Sequence, residues 1–238
     1  MNPVSRTQAT GSLPVKWQSS GQNGIVRSFV ASHKQFLFIK RIADIAGSLL
    51  VIVAVLSWLT PLLALLIKLD SRGPVFFRQK RIGRNDRAFI CIKFRTMVEN
   101  AEADELPAVK GDERITHIGR FLRRTNLDEL PQFFNVLIGQ MSIIGPRPHM
   151  VADCIRFSFV VPSYSFRHLV RPGITGWAQV NGCHGPTPDY DSILLRYYWD
   201  AMYVRKAGWK LDLRILGGTL QRLAEMLFTV NKTEKKPR

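Results

Sequence analysis

From Leu49 to Ile67 the chain carries no charged residue. A helix over that stretch would measure roughly 28 Å, the thickness of a bilayer's hydrocarbon core. Pro61 lies inside it and predicts a bend near Ser57–Thr60, where the two hydroxyls can satisfy carbonyls released by the missing N–H. The pattern then shortens its period. Pro74–Lys80 and Arg87–Phe94 are rich in Val, Ile and Phe around Gly83-Arg84-Asn85-Asp86, which predicts a β-hairpin. Helical spacing returns over Thr96–Leu106, Ile115–Arg124 and Glu129–Leu137, with a loop over Pro107–Arg114. Ser192–Val204 is an aromatic-rich stretch, suited to a core or to a helix lying at the headgroup zone, and Asp212–Phe228 is amphipathic. Residues 1–35 have no sustained apolar period and no secretory-signal pattern, so they predict a flexible basic tail; residues 229–238 predict a second one.

Charge changes how the apolar run is read. Lys34, Lys40 and Arg41 precede it, and Lys68, Arg72, Arg78, Lys80 and Arg81 follow it. Basic flanks stay on the cytoplasmic side, so both ends are expected there, and with them Ser19 and Lys110. The segment 36–70 is therefore expected to be a re-entrant helical hairpin and not a span. Over the whole chain the formal charge is +16, which calls for a polyanionic partner: nucleic acid, anionic membrane lipid or phosphorylated metabolites. Hydrophobic residues make up 46% of the chain, enough for a real core. Cys91, Cys154 and Cys183 are odd in number and widely spaced, so neither a disulfide framework nor a structural zinc site is indicated.

Within this basic chain Asp128 and Glu129 sit side by side at a predicted helix start, with Arg120, Arg123 and Arg124 before them and Arg147 after. A carboxylate among fixed cations is expected to stay ionised and to act on a phosphoryl group that the same cations hold. The plain alternative is helix capping, because Asn126-x-x-Glu129 fits a capping box. Lys93 and Arg95 alternate along a predicted strand and so share a face, where they can clamp diphosphate oxygens or simply be solvated. Arg147 is locked between two prolines. Gly173 and Gly176 suit either a tight turn or close approach of a ligand.

Several blocks occur together and in order: Lys40-Arg41-Ile42-Ala43-Asp44, Gly73-Pro74-Val75-Phe76-Phe77-Arg78-Gln79-Lys80-Arg81-Ile82-Gly83, Lys93-Phe94-Arg95-Thr96-Met97, Leu127-Asp128-Glu129-Leu130-Pro131-Gln132, Gly145-Pro146-Arg147-Pro148, and Arg171-Pro172-Gly173-Ile174-Thr175-Gly176-Trp177-Ala178-Gln179-Val180. In this the chain resembles the bacterial sugar transferases, also called monotopic phosphoglycosyl transferases, over about residues 40–220. The resemblance implies an α-rich α+β fold, with a re-entrant membrane anchor at 36–70 and a cytoplasmic catalytic domain at 71–228. That domain would carry a β-hairpin and interfacial amphipathic helices. It implies transfer of a hexose 1-phosphate from a UDP-sugar to undecaprenyl phosphate at the bacterial inner membrane, releasing UMP and starting a lipid-linked glycan. Asp128 would be the nucleophile, and Glu129 a base or, with Asp128, a ligand of magnesium (Mg2+). Lys93, Arg95, Arg123, Arg147, Arg171 and Asp200, the last in an Asp-x-x-Tyr element, would bind substrate. Glucose is the sugar suggested, galactose the next, and a homo-oligomer is left open.

Gln140 and His184 depart from the family pattern, which expects an acid before Met-Ser and an arginine after Asn-Gly-Cys. Neither touches Asp128, Glu129 or Arg147, so the departures bear on which sugar and not on the reaction class. His184 has no second histidine at ligand spacing. The competing class, a basic membrane-bound nucleic-acid-binding or regulatory protein, lacks a recognition-helix or zinc-finger pattern, and no nucleic acid is expected as a partner.

Overall fold

The computed structural model describes residues 33–99, 111–185, 187 and 189–233, with side chains as far as residue 226. Of the expected tails, 1–35 and 229–238, all but residues 33–35 and 229–233 lie outside the described residues, as do residues 107–110 of the expected loop and most of the helix expected over Thr96–Leu106; the backbone of 34–35 and of 229–233 is helical, continuing the neighbouring helices and not forming tails.

The apolar run belongs to one long helical stretch. Helix α1 (Lys34–Val51) passes through a π turn at Ile52–Leu56 into α2 (Ser57–Asp70). The stretch is long and apolar enough to cross a membrane. The backbone stays helical through Ser57–Thr60, where a bend is predicted; the irregular turn lies just before it. There Ser57 N bonds back to the carbonyl of Ile52, and Ser57 Oγ donates to the carbonyl of Val53 at 2.6 Å. This hydroxyl serves a carbonyl of the π turn and not that of Ser57, the one Pro61 leaves without a donor, so the expected role of the hydroxyls at a proline bend is not what forms. No helix–turn–helix interrupts the segment.

One face of this stretch belongs to the domain that follows. Leu56, Leu59, Leu63 and Ile67, at helical spacing, pack with Phe94 and Leu122 in one buried cluster. The opposite face leaves Phe38, Ile42, Leu50, Val53, Trp58, Leu62, Leu65 and Leu69 exposed, a surface that belongs in lipid. Polar grips fix both ends to the same domain. Near the start, Arg41 donates to the carbonyls of Val136 and Leu137 (2.6 and 2.8 Å), Lys40 pairs with Asp212 at 2.6 Å, and Asp44 accepts from Ser142 Oγ and Ile143 N. Near the end, Asp70 accepts from Ile118 N at 2.8 Å. Arg95 donates to the carbonyls of Ser71 (2.7 Å) and Arg72, the two residues just past α2.

The predicted hairpin is present: β1 (Phe76–Ile82) pairs antiparallel with β2 (Ala88–Phe94), Gln79 opposite Cys91. The described part of the helix expected over Thr96–Leu106 is extended and not helical. Thr96 O accepts from Thr116 N, and Met97 bridges to Ile115. These pairings give the backbone after β2 a partner, so it has no need of a helix's internal bonds. Helix α3 (His117–Thr125) starts on Thr116, whose side chain accepts from Gly119 N at 3.0 Å, and ends at Asn126 in the left-handed conformation (φ 55°). That reversal turns the chain into a single 3-10 turn, Leu127–Glu129, followed by α4 (Gln132–Leu137).

Strand β3 (Ser142–Ile144) lies parallel to β4 (Gly173–Thr175). The two approach so closely that a Cβ on Gly173 would meet the Gly145 nitrogen, and one on Gly176 the Gly145 carbonyl oxygen. The Pro-Gly-Ile-Thr-Gly glycines therefore serve a backbone contact within the protein. Helices α5 (Val151–Val160), α6 (Trp177–Val180), α7 (Tyr190–Lys206) and α8 (Trp209–Thr233) complete an α-rich α+β arrangement. In α7 the predicted aromatic stretch divides, Tyr203 buried and Tyr198 exposed. In α8, Leu213, Leu216, Leu220 and Leu223 form an exposed apolar stripe.

Candidate active site

The turn after α3 places Asp128 and Glu129 on one wall of a cleft of about 990 Å³. Strand β2 brings Lys93 from the opposite side, and the segment after β3 brings Arg147. Asn135 keeps these elements in register: its Oδ1 accepts from Ile92 N, and its amide nitrogen donates to Ile90 O and to the side chain of Gln140. Gln140, one of the two departures, is thus part of the frame behind the site.

Glu129 is fully engaged. Lys93 Nζ lies 2.7 Å from its Oε1, and the Arg147 guanidinium grips both oxygens, Nη1 at 2.9 Å from Oε2 and Nη2 on Oε1. This is the two-pronged geometry that makes arginine–carboxylate pairs strong. Burial works against ionisation of Glu129, but Arg147 and Lys93 overcome it and hold the carboxyl well below the usual carboxylate range. Glu129 in turn raises Arg147 above the ordinary arginine value. The capping-box alternative is not what forms: Asn126 makes no side-chain cap, and the Glu129 carboxylate faces cations.

Asp128 differs from its neighbour. It is buried (9% exposed) yet lines the cleft, and among the described residues none hydrogen-bonds to its carboxylate. Burial pushes its pKa up; Lys93 opposes this and the Glu129 charge adds to it. The expectation that nearby cations lower the pKa of both carboxylates is therefore corrected for Asp128, where burial outweighs them. A desolvated carboxylate with free oxygens is a better nucleophile than a paired one, and the cations that keep it usable are Lys93, Arg147 and Arg123.

The predicted binding residues separate. Lys93, Arg123 and Arg147 line the cleft with the acidic pair, Arg123 with its Nε held by Thr96 Oγ1 at 2.8 Å. Arg95 also borders the cleft, but it lies just beyond β2 and both its Nη atoms donate to the end of α2. It is therefore committed to the anchor and leaves no clamp shared with Lys93. Arg171 lies elsewhere, its Nε donating to Gly139 O at 2.9 Å. Asp200 is 1% exposed and pairs with Arg167 at 2.8 Å. Arg167 Nη2 then reaches the backbone carbonyl of Arg147 at 2.5 Å. Asp200 thus acts at one remove, through a buried arginine that fixes the backbone of a cleft residue. His184 is engaged by Arg222.

Other cleft-lining residues that were not expected in the site include Arg81, His149, Asp153, Arg156 and Arg196. His149 follows the Pro-Arg-Pro motif directly, and Asp153 occupies the first turn of α5; these positions are the only local signal they carry. For magnesium the relevant donors are the free Asp128 oxygens and, if a cation exchanges with Lys93, Glu129. Among the described residues no group of three or more His, Cys, Asp or Glu could hold a metal alone. Magnesium suits such a place, because it takes one or two carboxylates and completes its shell with water and substrate phosphates.

The family described as bacterial sugar transferase matches residues 35–226. A Klebsiella pneumoniae protein named UDP-glucose:undecaprenyl-phosphate glucose-1-phosphate transferase is 41% identical over 216 residues, covering 89% of this chain and 44% of that protein. An Aeromonas hydrophila protein named UDP-N-acetylgalactosamine-undecaprenyl-phosphate N-acetylgalactosaminephosphotransferase is 43% identical, covering 78% and 44%. A Rhizobium leguminosarum exopolysaccharide production protein is 44% identical, covering 77% and 94%. The chain thus spans less than half the length of the first two. Since the matched region contains the long apolar helix, the acidic pair and the Pro-Arg-Pro segment, the chain belongs to the bacterial sugar transferase family.

Proposed function

We propose that this protein transfers a hexose 1-phosphate from a UDP-sugar to undecaprenyl phosphate through an aspartyl intermediate. The observation that carries the reading is the Asp128 carboxylate, without a hydrogen-bond partner among the described residues, in a cleft where Lys93, Arg123 and Arg147 surround it. An Asp128 oxygen bonds to the sugar-linked phosphorus while the bond from that phosphorus to the bridging oxygen breaks, and UMP leaves with the electron pair. A phosphate oxygen of the polyprenyl carrier then attacks the same phosphorus, and the Asp128 carboxylate is released. Arg147, Lys93 and Arg123 hold the phosphoryl oxygens and offset the charge that gathers there. Bound magnesium, held by Asp128 and Glu129, would supply further neutralisation of the diphosphate. Names of relatives support a nucleotide-sugar donor and a polyprenyl acceptor; they differ in the sugar, so glucose is the first choice and galactose the second.

The anchor reading rests on the grips at both ends of the long helix. Arg41 and Asp44 hold one end to α4 and β3, while Asp70 and Arg95 hold the other to α3 and β2, all in one domain. A span would carry those ends to opposite faces of the bilayer and tear one set apart. We therefore place the helix in the membrane as a re-entrant element, with the cleft on the cytoplasmic face of the inner membrane.

Incubation of purified protein and undecaprenyl phosphate with a panel of radiolabelled UDP-sugars should give UMP and labelled lipid in EDTA-sensitive fashion. Without the lipid, label should reach the protein and be lost in Asp128→Asn. Release of UMP with no protein-bound label under any condition overturns the intermediate. For topology, Lys34→Cys and Glu113→Cys, each in a cysteine-free background, should both resist an impermeant thiol reagent in intact cells. Labelling of one position only means that the helix spans.

A further inference from the structure

Away from the cleft, where the anchor helix begins, Arg41, Arg84 and Arg171 come together. Arg41 donates through both Nη atoms to the carbonyls of Val136 and Leu137, and Arg171 through Nε to that of Gly139. These bonds are what cations do at the C-terminal end of a helix, here α4, and they account for Arg41 and for one nitrogen of Arg171. They do not account for Arg84, in the turn between β1 and β2, which shares a small recess with Arg171. Among the described residues the Arg84 guanidinium has no ion pair, and its Nε is sealed without an acceptor. Its Nη atoms and those of Arg171 also lack hydrogen-bond partners, but they are not sealed, since both residues are partly exposed. Burial lowers the pKa of both guanidiniums, and the charges of Arg84 and Arg41 lower that of Arg171 further. Asp44 opposes this at Arg171, but its Oδ1 already serves Ser142 Oγ and Ile143 N, and Lys40 on the same wall is paired with Asp212. Partly buried like charges with no acid between them are costly, and a bound anion offsets the cost.

The surroundings say which anion. Phe36, Leu37 and Lys40 of α1 line the recess, together with Ala207 from the link between α7 and α8. Phe36 meets the Trp209 ring edge-on, centroids 5.2 Å apart, and Trp209 is exposed at the start of α8. From there Phe38, Ile39 and Ile42 on α1 and Leu213 and Leu216 on α8 turn apolar side chains outward. Aromatic rings beside basic residues, with apolar helix faces leading away, mark the headgroup zone of a bilayer. A phosphate diester in that zone suits guanidinium groups, which can grip two of its oxygens at once.

We infer that Arg84 and Arg171, with Arg41 beside them, form a binding site for the phosphate of an anionic membrane phospholipid, separate from the catalytic cleft. A lipid held there ties the tip of the hairpin, whose second strand carries Lys93, to the membrane surface at the start of the anchor. The inference goes beyond the transferase reading and does not depend on it.

The probe is dioctanoyl phosphatidylglycerol, titrated into full-length protein in an uncharged detergent while thermal unfolding is followed. A ligand of the folded state raises Tm in a saturable way. Wild type should respond, and dioctanoyl phosphatidylcholine and inorganic phosphate at the same concentrations should give smaller shifts. Arg84→Gln should raise the half-saturating concentration about fivefold, Arg84→Lys should raise it less, and Arg84→Gln/Arg171→Gln should lose the saturable response. Without lipid, Arg84→Gln should melt no lower than wild type, because it removes a cation that has no partner; lost binding is thereby told apart from lost folding. Lys80→Gln, which removes an exposed charge elsewhere on the hairpin, should respond as wild type does. An unchanged half-saturating concentration in Arg84→Gln overturns the site. So does an equal rise in Lys80→Gln, which makes the effect one of net charge. A response to inorganic phosphate or phosphatidylcholine as large as that to phosphatidylglycerol overturns the assignment to an anionic lipid. UMP release plays no part in the readout, so this site can fail while the transferase reading stands, and the reverse.

Discussion

Glu129 with Arg147 and Asp200 with Arg167 are built from the same chemical groups, but one pair borders the cleft and the other is sealed. Arg147 keeps 31% of its side chain exposed, whereas Arg167 and Asp200 are buried to within 1–2%. Next to the first pair stands Asp128, with no hydrogen-bond partner among the described residues; the second is closed in by His168, the Tyr164 ring and the Arg147 carbonyl, which Arg167 grips. An ion pair open to a cleft can exchange partners with a phosphate. A sealed one cannot, and its use is to hold the backbone that carries the first. Arg95 shows the same division on a single residue, since it borders the cleft but spends its Nη donors on the end of α2.

Removing the group without a partner should have the largest effect. Asp128→Asn keeps the shape and removes the nucleophile, so UMP release should fall by at least about a thousandfold. Protein melting should be nearly unchanged. Turnover like that of wild type would end the distinction between the free and the paired carboxylate.

Breaking the sealed pair should act on stability first. Arg167→Met leaves the Asp200 carboxylate buried and unpaired, at a cost of about 3–5 kcal/mol measured by chemical denaturation. The double variant Arg167→Met/Asp200→Asn should recover much of that stability but not the activity, because Arg147 loses the bond to its carbonyl. If the double variant regains full kcat/KM, Arg167 has no positioning role.

The pH profile should sharpen the contrast within the acidic pair. Burial raises the pKa of Asp128, and only its ionised form attacks, so kcat/KM should fall as pH drops through that raised value. Glu129→Gln takes away a neighbouring negative charge and releases Lys93 and Arg147 toward Asp128. Both changes favour the carboxylate, so the acidic limb should move to lower pH even though the rate is reduced. An acidic limb that stays in place would show that Asp128 does not feel the Glu129 charge.

The smallest effect belongs to an arginine outside the cleft. Arg171→Ala should change KM for the UDP-sugar less than about twofold, because its guanidinium serves the Gly139 carbonyl, and a tenfold rise would put Arg171 back among the binding residues.

Much of this was legible along the chain. Uncharged length predicted the membrane-compatible helix, Val-, Ile- and Phe-rich segments around Gly83–Asp86 predicted the hairpin, and the ordered blocks pointed to Asp128, Glu129 and Arg147 as site candidates, because each signal is set by neighbours in sequence. Tertiary structure decided the rest. Extended pairing with residues 114–116 kept Thr96–Glu99 from being helical. The Ser71 and Arg72 carbonyls drew Arg95 out of the phosphate clamp, and Arg167, distant in sequence, turned Asp200 into a support. The state of a carboxylate depends on which charges and how much solvent surround it, and those neighbours come from segments far apart in the chain. The sequence by itself therefore determined that acids and arginines would meet here; only the packed structure decided that Glu129 would be paired and Asp128 left free.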